Sequence, residues 1–234
     1  EKYELNVNAY GVFSGKEQKK LDINREEEIY QLLQLPYIPP ELREDGDEWE
    51  AALNDELPQL LQLEDMQGDL HLHTNWSDGV NTIKEMVQEA KKLGYQYIAI
   101  TEHSRSLRVA NGLSIERLRE QHEIIREMQA LEEDFKIFTG VECDILQDGT
   151  LDYPDEILKE CDVVIASIHM GLRQDKEKLT YRAEMALKNP YVTIFAHPTG
   201  RILGRRDPYD IDIDRIIQLA KDEGKVLEIN SSPD

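Results

Sequence analysis

The stretch "GDLHLHTNWSDG" at 68–79 sets His71 and His73 two residues apart in what reads as a short strand, then runs into a turn. Residues i and i+2 of a strand point to the same face, so two imidazoles in that spacing can grip one ion. Three more histidines, His103, His169 and His197, each close an apolar, β-rich run, and Glu142 closes another after "KIFTGV". Side chains at the C-terminal ends of parallel strands converge on one face of the sheet. Five imidazoles and a carboxylate gathered there would repel one another if protonated and waste desolvation if left without a ligand. A divalent cation removes both problems, because neutral imidazole and carboxylate are its ordinary ligands. The sixth histidine, His122, falls four after Leu118 and three before Ile125, on the buried side of a helix, and reads as structural.

Arginines accompany three of these histidines. Arg105 and Arg108 follow His103, Arg173 follows His169, and Arg201, Arg205 and Arg206 follow His197. Guanidinium groups match phosphate oxygens through paired hydrogen bonds, so the clustering favours a phosphate ester over a neutral amide or sugar. Competing chemistry lacks its residues: there is no G-x-S-x-G elbow, no G-x-x-x-x-G-K-[ST] loop and no G-x-G-x-x-G fingerprint. Cys143 stands beside Glu142, whose charge disfavours a thiolate, so neither Cys143 nor Cys161 is expected to be a nucleophile.

The elements that must present these residues alternate. Strands are expected at 69–73, 95–101, 136–142, 162–169, 192–197 and 225–230, and helices at 82–93, 114–132, 175–188 and 210–223, with a shorter one near 154–160. Thr82 and Glu85 stand in capping-box spacing, and Gly94 stops the helix they begin. This alternation means a mainly parallel α/β sheet, either an open doubly wound sheet or a barrel. Residues 1–40 read as a separate module. "YELNVNAYGVF" is a strand pair or extended segment, "SGKEQ" a turn, and Asn24 the cap of a helix through "REEEIYQLLQL" that "PYIPP" ends. Residues 41–67 form an acidic, partly helical connector.

The 234 residues carry a formal charge of −21, which opposes a nucleic-acid partner, yet ten acids against one arginine in 41–65 supply much of it. The field at the strand ends is therefore set locally. Mean hydropathy is −0.59, no apolar run approaches a membrane span, and no signal-peptide core is present. Two distant cysteines read as reduced thiols and a cytoplasmic protein. The opening "EKYELN" lacks an initiating Met, as expected of a piece of something longer.

In order, "DLHLHTNWSDG", "ITEHS", "GVECDI", "SIH" and "FAHPTGR" resemble the motifs of the polymerase-and-histidinol-phosphatase (PHP) metallohydrolases. "EEEIYQLLQLPYIPPELRE" is similar to the end of the thumb of a bacterial or archaeal family-X DNA polymerase, ahead of its C-terminal PHP domain. The resemblance implies a thumb end at 1–45, the connector at 46–67 and a PHP domain at 68–234. It implies a distorted (β/α)7-type barrel, incomplete at the C-terminus and preceded by a small α+β thumb remnant. The implied activity is manganese-dependent 3′–5′ exonuclease or 3′-end phosphoesterase chemistry in DNA repair, by attack of a metal-activated hydroxide on phosphorus, with up to three ions and zinc or iron as alternatives. By position, His71 and His73 would hold one ion, Glu142 would bridge to a second held by His169 and His197, and Asp78 and His103 would hold the third. His71, His73, Glu142 and Arg201 are the implied catalytic set, and Arg105, Arg173, Arg201 and Arg205 the expected phosphate contacts. The implied partners are DNA 3′ ends and the polymerase domains of the parent chain, with no membrane. The family pattern continues past "EINSSPD" to a strand ending in Asp-x-His that this sequence does not include, so seven of nine implied ligands are present. Two other readings are a small-molecule phosphatase resembling histidinol phosphatase and an inactive module that supports its polymerase structurally.

Overall fold

The computed structural model describes residues 5–15, 19–44 and 46–230, arranged as two compact units that divide between Leu61 and Gln62. In the first unit, β1 (Leu5–Asn8) and β2 (Gly11–Ser14) form an antiparallel hairpin. The turn expected at "SGKEQ" includes residues 16–18, which lie outside the described residues. Helix α1 (Glu26–Leu33) follows, capped differently from the expectation. Arg25, not Asn24, is the N-cap, because the Glu28 carboxylate accepts from both the Asn24 and Arg25 amides (2.7 and 3.1 Å). The Asn24 side chain turns to Asp22 instead (3.3 Å). Gln34 adopts a left-handed conformation and ends the helix before "PYIPP". Arg43 closes the unit on itself, paired through both guanidinium nitrogens with Glu26 and lying over the rings of Tyr30 and Tyr37. Helix α2 (Glu48–Leu53) is the helical part of the acidic connector.

The second unit carries six strands: β3 (Gly68–Leu72), β4 (Tyr97–Ile100), β5 (Lys136–Asp144), β6 (Val163–Ser167), β7 (Ile194–Phe195) and β8 (Val226–Leu227). Their spatial order is their chain order, and every neighbouring pair is parallel. An open doubly wound sheet reverses its strand order partway. This sheet does not, so it is a six-stranded parallel half-barrel. The intervening helices are α3 (Ile83–Lys92), α4 (Ile115–Gln129), α5 (Asp155–Leu158), α6 (Lys176–Leu187) and α7 (Ile213–Asp222). Thr82 and Glu85 form the expected capping box at the start of α3.

Alternation along the strands separates two layers. Ile98, Ile100, Ile137, Val141, Val164, Ala166 and Phe195 pack toward the helices. Ala99, Phe138, Val163, Ile165, Ile194 and Ala196, with Leu70, form a smaller cluster inside the curl. On β5 the residues at i+2 and i+4 from Phe138 are Gly140 and Glu142, so the inner face rises from apolar floor to carboxylate. Strands β7 and β8 are two residues each, shorter than 192–197 and 225–230. His197 is left-handed (φ 60°), which turns the chain out of the sheet two residues after β7.

Candidate metal centre

Strands β3 to β7 deliver ligand-type residues to the same end of the half-barrel, two from β3 and one from each of the others. His71 lies in β3 and His73 just beyond it; His169 and His197 come two residues after β6 and β7. His103 stands three residues past β4, kept in the sheet by a parallel bridge to Glu142 and by the Ser104 amide donating to the Glu142 carbonyl (3.0 Å). The Glu142 side chain, 1 % exposed, is the centre of the group. One oxygen, Oε2, lies 3.3 Å from His71 Nε2, 3.4 Å from His73 Nε2 and 2.8 Å from His103 Nδ1. The other, Oε1, lies 3.2 Å from His169 Nε2 and 2.9 Å from His197 Nε2. All five strand-end imidazoles therefore meet one carboxylate. Asp78 enters from the turn after β3, with its carboxylate 3.4 Å from His103 Nε2 and 3.9 Å from His73 Nδ1.

Three carboxylates that the sequence did not single out back this arrangement. Glu228, one residue past β8, lies 2.7 Å from His71 Nδ1, and Asp144, at the end of β5, lies 2.5 Å from His169 Nδ1. Each thereby fixes a ring and leaves its Nε2 directed at Glu142, the usual arrangement behind a ligating histidine. Glu102 is buried under the turn between His73 and Asp78. Asp144 sits at i+2 from Glu142 and Glu102 precedes His103, a weak signal, while Glu228 is 157 residues from the ring it meets.

The electrostatics follow from this crowding. Burial raises the Glu142 carboxyl, but the His103, His169, His197 and His71 rings crowded against it outweigh burial and hold the group well below the usual carboxylate range. Burial lowers His71, yet Glu142 and Glu228 outweigh it and push the ring up to about 10. For His169, Asp144 and Glu142 overcome burial in the same way and raise it to about 9. Burial, reinforced by His103 and His71, takes His73 down to about 4. Cys143 is pushed up to about 12 by burial, which leaves it a thiol.

The donor set fits divalent cations. His73 Nδ1, His103 Nδ1 and Glu142 Oε2 are buried and make no hydrogen bond, although His103 Nδ1 and Glu142 Oε2 are only 2.8 Å apart. Buried polar atoms of a folded protein are normally satisfied, and orphans of this kind signal an absent ion or water. Ligand atoms fall into three overlapping groups: His71, His73 and Glu142; His73, Asp78 and His103; and His103, Glu142 and His169. His73, His103 and Glu142 are thus each shared between two groups. His197 contacts Glu142 without joining any of the three.

The arginines divide. Arg105 donates to the Asp152 carboxylate (3.1 Å) and carbonyl (2.7 Å), so its guanidinium is engaged in the protein. Arg206 donates to the Gly200 carbonyl (2.7 Å) within the loop that follows His197. All five are exposed, with Arg173, Arg201 and Arg205 on the loops after β6 and β7. His122 stays apart, buried on α4 with Nε2 3.2 Å from the Gly140 carbonyl.

Comparison with known proteins agrees with this geometry. The PHP domain profile matches residues 69–232, and the DNA polymerase beta thumb profile matches residues 1–44. The chain is 48% identical over 227 residues to the DNA polymerase/3′-5′ exonuclease PolX of Bacillus subtilis (strain 168), covering 97% of this chain and 40% of that protein. It is 37% identical over 169 residues to a probable phosphatase of Caldanaerobacter subterraneus subsp. tengcongensis, covering 70% of this chain and 62% of that one. Histidinol phosphate phosphatase from Lactococcus lactis, solved with zinc, L-histidinol and phosphate, shares the fold at a TM-score of 0.53 and 23% identity, over 70% of this chain and 73% of that one.

Proposed function

This chain belongs to the PHP domain family, and from that premise we propose that it is a metal-dependent phosphoesterase of 3′–5′ exonuclease type. It processes DNA 3′ ends beside the polymerase domains of a cytoplasmic DNA-repair enzyme. The observation that carries the reading is Glu142, a buried carboxylate with five imidazoles on its two oxygens. His71, His73, Asp78, His103, Glu142, His169 and His197 would hold the ions, with manganese supporting activity and zinc or iron compatible with the same donors. Bound there, such ions supply Lewis acidity toward phosphoryl oxygens. The protein's own residues do the rest. Glu228 and Asp144 hold the Nδ1 sides of His71 and His169, so the proton each ring must give up is the one on Nε2. Arg173, Arg201 and Arg205 add positive charge where a phosphodiester would lie, and Arg201 bears most directly on the reacting group. The DNA polymerase beta thumb match at residues 1–44 supports the polymerase context. The similarity to a protein named a probable phosphatase supports a small-ester reading.

One experiment separates these readings. The chain, loaded with manganese or zinc, is assayed for metal content and for hydrolysis of a 5′-labelled single-stranded oligonucleotide and of histidinol phosphate. Stepwise shortening from the unlabelled 3′ end is the expected result. Turnover of the small ester beside an intact oligonucleotide would move the assignment to a phosphatase. Fewer than one transition-metal ion per chain would defeat the metal centre itself.

A further inference from the structure

Beneath the turn that joins His73 to Asp78 lies a carboxylate that none of the three candidate ligand groups contains. Glu102 is wholly buried, at 0% exposure. It accepts from the Thr74 amide (3.0 Å), from the Thr74 and Ser77 hydroxyls, and from the Gln121 side-chain amide of α4 (2.9 Å). None of these donors carries a charge. A buried carboxylate is costly unless it is paired, so its negative charge calls for a nearby cation. The His73 ring lies close by, with Nδ1 4.0 Å from Glu102 Oε2. That nitrogen is buried and makes no hydrogen bond.

The placement of the donors is the telling feature. Thr74 is next in sequence to His73, Ser77 is next to Asp78, and Glu102 itself is next to His103. Every member of the His73, Asp78 and His103 group is thus one peptide bond from an atom held in this single hydrogen-bonded knot. The Ser77 hydroxyl also stands 3.2 Å from Asp78 Oδ1, between the two carboxylates.

We propose that Glu102 is the positioning residue that assembles the His73–Asp78–His103 group and sets that group's affinity for a divalent cation. The inference rests on the metal reading above and refines it: the ion at this group is the cation that balances Glu102. The carboxylate does not touch the ion. It acts by fixing the 74–77 turn from one side and by contributing charge from about one ligand shell further out.

The test is a manganese titration of the whole chain, with free ion counted by electron paramagnetic resonance, on wild type, Glu102→Gln and Ser77→Ala. Glu102→Gln keeps the size of the side chain but removes the charge and one of its two acceptor oxygens. Its expected effect is a roughly 10- to 100-fold weaker affinity at one site, with the remaining ions weakened by less. Ser77→Ala leaves the charge and removes one donor, so it should weaken the same site by a smaller factor. If Glu102→Gln loses its circular-dichroism signature of folding, Ser77→Ala alone decides. Wild-type affinity and stoichiometry in the folded variants overturns the proposal, as does uniform weakening of every ion. A wild-type chain that takes up no manganese and no zinc overturns the metal reading and this inference with it.

Discussion

His122 shows what a histidine does in this fold when it is kept away from the centre. It is 1% exposed, faces the back of β5, and makes its hydrogen bond to a backbone carbonyl, not a carboxylate. Burial lowers its pKa below the ordinary 6.5, with the Arg126 charge adding to the effect and the Gly140 carbonyl opposing it. A histidine that is neutral when folded and titrates near 6.5 when unfolded gives stability that is complete above 6.5 and is lost as pH falls below it. Thermal unfolding with excess chelator, compared for wild type and His122→Gln, should show this. Loss of the hydrogen bond costs the variant about 1 kcal/mol at pH 8, and the gap should close as pH falls toward 5. A gap that is constant across this range would mean that the ring binds protons equally in the folded and unfolded states. The six histidines thus separate by what surrounds them, and the strand-end placement of five of them was legible in the sequence, because such placement is local. The supporting carboxylates were not legible in the same way. Glu102, Asp144 and Glu228 gain their roles from rings and hydroxyls 25 to 157 residues away, and no spacing rule reaches that far.

At the scale of elements, the half-barrel works by ending neighbouring strands around one carboxylate. The positions of all six strands and of the intervening helices were readable from apolar alternation and caps. The end of β7 was not, because His197 leaves the sheet through a left-handed backbone that its residue type gives no reason to expect. Strain of that kind tends to be kept where function needs it. The turn after β3 is the other element under close constraint. A Cβ added at Gly79 would lie 2.5 Å from the His73 carbonyl oxygen and 2.7 Å from the Thr74 nitrogen, both backbone atoms that cannot swing aside. Gly79→Ala must therefore displace the turn that places Asp78. The expected cost is roughly 1–3 kcal/mol of stability, by analogy with overpacking elsewhere, measured by denaturant unfolding. The same variant should weaken divalent-cation binding, whereas an unchanged metal titration would show that Asp78 is placed independently of the turn.

At the scale of the molecule, the chain joins two units of different character. Residues 1–61 carry fifteen acids against six bases and hold none of the candidate ligands. Every candidate ligand, each carboxylate behind them and both inner and outer core clusters lie in residues 62–234. The six-stranded sheet draws all its partners from this second unit, and the first unit's hairpin forms a separate sheet. A stretch with its own core and its own sheet should fold alone. Residues 62–234, expressed without the first unit, should therefore give a cooperative thermal transition and bind as many manganese ions as the whole chain, with affinities within a few-fold. Hydrolysis of a small phosphate ester should be equally unaffected, because that substrate needs only the centre. Oligonucleotide shortening is the discriminating measurement. If it falls while metal content and small-ester turnover hold, the thumb-like unit contributes to holding DNA; if all three fall together, residues 1–61 support the fold of the centre itself.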